Sequence, residues 1–421
     1  MFKKAVFIVF AVMMLAFGVA TSAMAIDGLV PTVSYVNPGG LGDSLIYGYY
    51  NVRGNVNLFN IVNTTSPDGE KVRVVFRAGA DSEEVLDFSV CLSQGDVWTA
   101  FLIDNGTTAA ICPFDTDTVT APAIPASCQP FKIPSGSSLT NDDLREGYFE
   151  VLGLSSIPGF DHNATNPIIK TAAECANWGT SSTISIAGDV GNVLMGNNTI
   201  LSTSTLATFS YNADAIGSTA FAPIPDPGPG SELSITQISV LGCAIETNLA
   251  KTNLMTPFDV MTGLGGETEV ILTFPTRLKC HSQDAPGSLV NNLNGGVGNL
   301  FSCTKASSGT CTQYETPILV TAWDDQEHPQ NILQFSPAGA DVVKNEVNVL
   351  KINASNIWDS SLAQTLSISI GELGWISIDL TAGNAAPTGL PVLSFTTQQF
   401  VGGAATYMTK TAYTSFFSPA L

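Results

Sequence analysis

The chain has 421 residues, and 36 acidic against 16 basic side chains give it a formal net charge of −20. That balance excludes nucleic acid as a partner, because phosphate binding needs a basic face. Charged residues make up only 12% of the chain and the mean hydropathy is +0.24, so the surface must be built largely from Ser, Thr, Asn, Gly and apolar residues, a composition that suits contact with other copies of the protein or with a surface matrix.

The first residues predict export. Lys3 and Lys4 precede an apolar run over 5–20, and Ala23 and Ala25 stand where a signal peptidase reads small residues, so residues 1–25 form a signal peptide cleaved after Ala25. The mature chain would then begin at Ile26 with 396 residues (421 − 25). Losing Lys3 and Lys4 takes its charge from −20 to −22. No second apolar run approaches the length of a membrane-spanning helix, which places the product in the periplasm, outside the cell or on its surface. Residues 26–36 then offer a short alternating strand around Val33 and Tyr35, joined by Pro38-Gly39-Gly40 to a confident strand from Ser44. Such a strand can pair within its own sheet or add to a neighbour's open edge.

Period-two alternation dominates the rest of the chain, and it means half-buried antiparallel strands. Tyr47 and Tyr49 share one face of an aromatic strand that also carries Tyr50; exposed, such rings would stack on sugars, and buried they would serve cross-strand packing. In 71–77, Lys71, Arg73 and Arg77 take one face and Val72, Val74 and Phe76 the other. The same rhythm recurs at 86–90, 366–370 and 376–380, with Gly, Asn and Asp turns between the runs. Short helices are expected at 141–146 and at 167–178, the latter capped by Asn166 and ended by Gly179. The Pro/Gly-rich segment 223–231 cannot lie inside a sheet. It predicts a linker between an N-terminal β-sandwich domain, 26–222, and a C-terminal one, 232–421. The expected fold is all-β: two antiparallel β-sandwich domains with short connector helices.

Several phrases, taken together, carry a resemblance. They are Gly42-Asp43-Ser44-Leu45-Ile46-Tyr47, Asn60-Ile61-Val62-Asn63-Thr64, Glu84-Val85-Leu86-Asp87-Phe88 with Asp96-Val97-Trp98, Glu146-Gly147-Tyr148-Phe149-Glu150-Val151, Thr273-Phe274-Pro275-Thr276 and Asn345-Glu346-Val347-Asn348-Val349. The set resembles a loose class of exported, β-rich bacterial proteins. The resemblance implies compartment and fold; it supplies no activity and no site residues.

Beyond the signal peptide stand eight cysteines, at 91, 112, 128, 175, 243, 280, 303 and 311. An even count in an exported chain predicts disulfides. Short loops close at the smallest entropic cost, which predicts the sequential pairs Cys91–Cys112, Cys128–Cys175, Cys243–Cys280 and Cys303–Cys311. Two acidic clusters are the candidate metal sites. Asp324, Asp325 and Glu327, with His328, open a loop after an apolar strand, and Asp115 and Asp117 come shortly after Cys112. Ca²⁺ is the ion such clusters take, but neither matches an EF-hand spacing, so no tightly bound ion or other cofactor is expected to be needed for folding. The three histidines, 162, 281 and 328, are scattered, and no Gly-x-Ser-x-Gly elbow or phosphate loop occurs. Five Asn-x-Ser/Thr triplets, at Asn63, Asn105, Asn163, Asn197 and Asn353, read as turn composition beside a bacterial-looking signal peptide. The leading expectation is a non-enzymatic, secreted or cell-surface structural or adhesive protein, able to self-assemble by strand addition. The alternative is a secreted hydrolase or carbohydrate-binding protein working through the 324–328 loop and exposed aromatics.

Overall fold

The computed structural model describes residues 34–115, 117–179, 191–218, 226, 245–277, 302–305, 311–332, 335–336, 342–381, 389–402 and 405–411. The signal peptide expected over 1–25, Cys243, Cys280, His281 and all of the Pro/Gly-rich segment except Asp226 lie outside these residues. The fold is all-β, built from antiparallel sheets packed as sandwiches. No helix among the described residues is long and apolar enough to cross a membrane.

The N-terminal part supplies β1 (Ser34–Val36), β2 (Ser44–Asn51), β3 (Asn55–Asn63), β4 (Gly69–Ala78), β5 (Glu84–Leu92), β6 (Val97–Asp104) and β7 (Ala109–Pro113). It continues with β8 (Val119–Ala121), β9 (Gln129–Pro130), β10 (Glu146–Ile157), β11 (Leu194–Ser202), β12 (Thr208–Asn212) and β13 (Asp214–Ser218). They form one sheet in the order β1-β13-β2-β10-β4-β5-β8 and a second in the order β12-β11-β3-β6-β7-β9. Between them lies an aromatic core in which Phe59, Phe76, Phe88, Trp98 and Phe149 touch ring to ring. Strand β1 pairs with β13 of its own sheet, Tyr35 opposite Gly217.

The C-terminal part repeats the plan with different strands. A four-stranded sheet runs Asn253–Asp259, Leu373–Asp379, Leu319–Asp324, Pro329–Ile332. It faces a six-stranded sheet centred on Val347–Ile352, Gly266–Thr273 and Leu393–Gly402. Leu254, Phe258, Val270, Leu272, Ile376 and Ile378 fill the space between.

Three local expectations need correction. The turn at Asp143–Arg145 is 3-10 rather than a helix over 141–146, and β10 starts directly after it at Glu146. Helix α1 is Ala172–Asn177 and its cap is Thr171, not Asn166. Thr171 and Glu174 satisfy each other's backbone N–H groups in a capping box, which fixes the start five residues late. The tyrosine strand also departs from strict alternation. Gly48 and Tyr49 together lie opposite Tyr148, since Tyr50 pairs with Gly147 and Tyr47 with Phe149. This extra residue is a bulge that re-aims the side chains after it. Tyr47 stacks on Phe149 and Tyr50 packs on Phe76 inside the sandwich, whereas Tyr49 leaves by the other face. All three rings are fully buried, so none is a surface platform.

Tyr49 points at the C-terminal sandwich. Its ring meets Trp358 at 6.0 Å and Phe395 at 6.3 Å, and Phe209 and Tyr211 of β12 join the same cluster. One hydrophobic cluster thus runs from the N-terminal core into Ile271, Val349, Trp358 and Phe395. Backbone also crosses: Val347 N–H donates to Gly79 O at 2.8 Å, and Thr273 Oγ1 to Gly48 O at 2.5 Å. A Cβ on Gly79 would lie 2.6 Å from Leu362 Cδ1 and 3.2 Å from Val347 Cβ, so glycine here permits the approach.

Trp358 is the keystone of this contact: fully buried, it donates Nε1–H to Thr397 Oγ1 at 3.0 Å, and its carbonyl accepts from Asn51 Nδ2 at 2.9 Å. Trp358→Ala should cost about 3–5 kcal/mol and separate the melting of the two sandwiches. Scanning calorimetry checks this: two transitions are expected in the variant against one in the parent.

Candidate interaction surface

The strongly acidic chain hides much of its charge. The outer face of the first sheet carries the basic row of β4, and the expectation of a solvated face is wrong: Lys71, Arg73 and Arg77 are fully buried. At one end, Lys71 Nζ donates to the carbonyls of Ala176 and Trp178 at the end of α1, at 3.1 and 2.8 Å. Asp226, from the Pro/Gly-rich segment, closes this end. Its carboxylate takes Lys71 Nζ at 2.8 Å, Arg73 at 3.3 Å and the Ser89 hydroxyl at 2.7 Å. Arg73 also pairs with Asp87. Further along, Arg77 Nε meets Glu150 at 3.2 Å beneath the C-terminal sandwich. Period two was read correctly in β4, but alternation says only that the faces differ, not that one of them meets water.

Two more carboxylates are buried where the sandwiches meet. Glu146 accepts from the Tyr49 hydroxyl at 2.8 Å, from Ser361 N–H at 3.1 Å and from the Ser360 hydroxyl. Burial pushes its carboxyl up from the ordinary range, against these hydrogen bonds. Glu269 takes Ile357 N–H at 2.9 Å and Ser355 Oγ at 3.1 Å on Oε1, while Oε2 has no partner among the described residues. Burial raises its pKa to about 7.

The sequence-predicted acidic clusters serve their own turns. The Asp324 carboxylate accepts the backbone N–H of Gln326 at 2.9 Å and of His328 at 2.8 Å, and meets His328 Nδ1 at 2.9 Å. These bonds, led by the His328 N–H, hold its carboxyl below the usual range and close the hairpin after Leu319–Asp324. Asp325 and Glu327 are left exposed around it. Asp115 accepts Asp117 N–H at 2.8 Å and Thr118 Oγ1 at 2.7 Å, with Asp117 itself exposed. No group of three His, Cys, Asp or Glu among the described residues is arranged to hold a metal. His162 lies in a turn of the N-terminal part.

The cysteine pairing is also corrected. Cys91 bonds Cys175 and Cys112 bonds Cys128, rather than Cys91–Cys112 and Cys128–Cys175. Cys91 lies opposite Lys71 on the outside of the first sheet, where α1 brings Cys175, while Cys112 belongs to the second sheet beside the Cys128 turn. Nearness in sequence did not become nearness in the fold. Cys303 and Cys311 lie on the paired strands Ser302–Lys305 and Cys311–Pro317; their side chains are outside the described residues.

What the chain presents to solvent is different in kind. In the second sheet β3, β6, β11 and β12 alternate between buried positions and exposed or half-buried ones, apart from Gly196 and the Ile103–Asp104 end of β6, and no outward position within the rows these strands share carries a charge. Register aligns the outward side chains in rows across the sheet. Met195, Val62 and Val97 form one row. Next to it, Asn212, Asn197, Asn60 and Thr99 form an amide and hydroxyl row, in which Asn60 Nδ2 donates to Asn197 Oδ1 at 2.7 Å. Beyond it lie Ser210, Thr199, Leu58 and Phe101, then Thr208, Leu201 and Val56. Leu58 is 50% exposed, Val97 47% and Met195 43%, with Phe114 at 75% just beyond β7. Sequence reading missed this face. The alternation Asn55-Val56-Asn57-Leu58-Phe59-Asn60-Ile61 was there to find, but no charge marks which side is outside. A second aromatic feature was missed as well: Trp323 and Trp375 stack across neighbouring strands at 3.9 Å, half-buried on the outer side of the four-stranded sheet, next to the Asp324 turn.

Comparison with protein-family models, with curated proteins and with solved structures found no match.

The buried charges carry two expected outcomes. Asp226→Ala leaves Lys71 and Arg73 buried beside fewer anions, so urea denaturation should show a loss of about 3–5 kcal/mol. For Glu269 the folded pKa is raised above the unfolded value, so its contribution is complete below about pH 4.5 and is lost as pH rises through about 7. At about 1.4 kcal/mol per pH unit the loss is about 3 kcal/mol. Glu269→Gln should flatten this fall, leaving the variant more stable than the parent at about pH 8 and not at about pH 4.

Proposed function

We propose that this chain works outside the cytoplasm as a non-enzymatic structural or adhesive protein that makes contact through the uncharged outer face of its second sheet. The observation that carries the reading is that face. In a chain of net charge −20, four neighbouring strands turn rows of apolar, amide and hydroxyl groups to solvent. Leu58, Val97 and Met195, exposed together on one uncharged face, support reading it as an interaction surface. The signal peptide read over 1–25 supplies the route, and the disulfides Cys91–Cys175 and Cys112–Cys128 suit an oxidising compartment. Glu146 and Glu269, two carboxylates whose pKa burial raises, sit inside the joint between the sandwiches, bound by serine hydroxyls and backbone N–H groups. That placement suits a structural role better than proton transfer to a substrate.

A second reading, carbohydrate binding, rests on the Trp323–Trp375 stack beside the exposed Asp325, Glu327 and His328. Indole faces stack on sugar rings, and carboxylates accept from sugar hydroxyls.

Adsorption to methyl-terminated and hydroxyl-terminated monolayers, measured by quartz microbalance, tests the first reading. The oxidised chain should be retained on both, and Leu58→Glu with Val97→Glu should remove most of the retained mass. Equal retention of parent and variant would reject the face as the contact. Glycan-array binding that is lost in Trp375→Ala and kept in Leu58→Glu would move the conclusion to the second reading.

A further inference from the structure

We propose that residues 355–361 form a proton-operated latch at the joint between the two sandwiches, closed while Glu269 is neutral and released as it ionises. The way the segment is held is the first argument. It lies between the strands Val347–Ile352 and Ala363–Leu366 and belongs to no sheet itself. Three of its backbone N–H groups go to carboxylates. That of Asn356 goes to Glu267, that of Ile357 to Glu269 at 2.9 Å and that of Ser361 to Glu146 at 3.1 Å. The hydroxyls of Ser355 and Ser360 bond Glu269 and Glu146 in turn. Between these anchors Trp358 is fully buried and accepts from Asn51 of β2 on its carbonyl. One end of the segment is thus held by the C-terminal sandwich and the other by the N-terminal one. The segment can lift without breaking a strand pairing.

The two anchors are unequal. Both oxygens of Glu146 are hydrogen-bonded, by the Tyr49 hydroxyl, Ser360 and Ser361, and Arg53 Nε stands 3.9 Å away. Glu269 is as deeply buried, but Oε1 takes both of its bonds and Oε2 has no partner among the described residues. The charged and titratable groups that act on it are Glu267, two residues back on its own strand, and Lys351, opposite it in the sheet. Tyr49 of β2 faces it from the N-terminal sandwich. Lys351 turns its Nζ to Asn356 Oδ1 at 2.9 Å, and on the other neighbouring strand the uncharged Thr397 lies opposite. Ionised here, Glu269 is a buried anion with one oxygen unbonded, a costly arrangement. The smallest relief is local, because lifting the segment lets water reach the carboxylate while the sheets stay paired. Burial raises the carboxyls of Glu146, Glu267 and Glu269 alike, the last to about 7, so all three act in one direction. Closure is complete below about pH 4.5 and is lost as pH rises through about 7.

Native-state hydrogen exchange of the full, oxidised chain between about pH 5 and about pH 8.5 tests the latch, with rates corrected for the intrinsic pH dependence of amide exchange. Protection within 355–361 should fall about a hundredfold, the ratio that a carboxyl shifted from about 4.5 to about 7 imposes. Exchange there should depend only weakly on urea, since the opening exposes little surface. The strands Gly266–Thr273 and Val347–Ile352 should show the full urea dependence of unfolding. Glu269→Gln should abolish the fall. Lys351→Met removes the cation that acts on Glu269 and should move the midpoint of the fall to higher pH.

Protection that does not change with pH, a fall that persists in Glu269→Gln, or a midpoint unmoved in Lys351→Met would each overturn the inference. So would exchange of the segment with the strands' urea dependence at every pH, which would make its opening global unfolding. The pH and urea dependence of the parent chain decide the matter even where a variant does not fold. The latch concerns the joint and not the outer face of the second sheet, so its failure leaves the proposed contact role standing.

Discussion

The burial of three cations on one strand organises this molecule. Lys71, Arg73 and Arg77 project from the outer face of the first sheet, and all three are out of water. An isolated buried charge costs many kcal/mol, so each must be met by anions and carbonyls in good geometry. Meeting them conscripts distant pieces of chain: the carbonyls ending α1, Asp226 from the Pro/Gly-rich segment, and Glu150 on β10. Such a row contributes little net stability compared with apolar residues of the same volume. What it does is penalise any arrangement that leaves a cation without its partner. It therefore favours one position for α1 and one for Asp226.

With both faces covered, the first sheet becomes a middle layer. Its other face holds the N-terminal aromatic core, and its lower end receives the C-terminal sandwich. The bulge at Gly48 and Tyr49 makes that reception possible. Without the extra residue, Tyr49 would lie on the same side as Tyr47, inside the first sandwich. With it, Tyr49 reaches Trp358 and Phe395 and donates its hydroxyl hydrogen bond to the buried Glu146. Ser360 and Ser361, from the C-terminal part, bond the same carboxylate. Aromatic packing and a shared carboxylate thus act at one place, and each needs the other half of the chain.

The parts legible in the sequence were those that depend on neighbours a few residues away. Alternation at 71–77 and 376–380 found strands, and their number and spacing found the sandwich class. Glu174, three residues after Thr171, marks the helix start through the capping box, a stronger signal than Asn166-Pro167. What could not be read depended on pieces of chain far apart in sequence. Nothing near Lys71 announces that Asp226 covers it, and nothing near Cys91 announces Cys175, 84 residues on. The candidate surface was illegible for a different reason. Charge is the usual mark of an outward face, and on β3 the outward residues are Val56, Leu58, Asn60 and Val62. The composition did hint at it, since so few charges in so long a chain imply an exposed surface made of something else.

Charge and apolar surface have exchanged their usual places in the N-terminal sandwich. One sheet holds ions on the face away from its aromatic core, and the other shows Leu, Val, Met and Asn to solvent. The two placements act over different distances. Buried ions act at contact and fix how the chain folds on itself. The remaining surface charge acts over about 8 Å at physiological ionic strength and keeps acidic bodies apart. That field does not oppose an uncharged partner approaching the amide and apolar rows of β3, β6 and β11. A face of this kind discriminates by shape and by its capacity to donate and accept hydrogen bonds, and it is indifferent to the sign of charge. Such a face is poorly suited to capturing an ionic ligand.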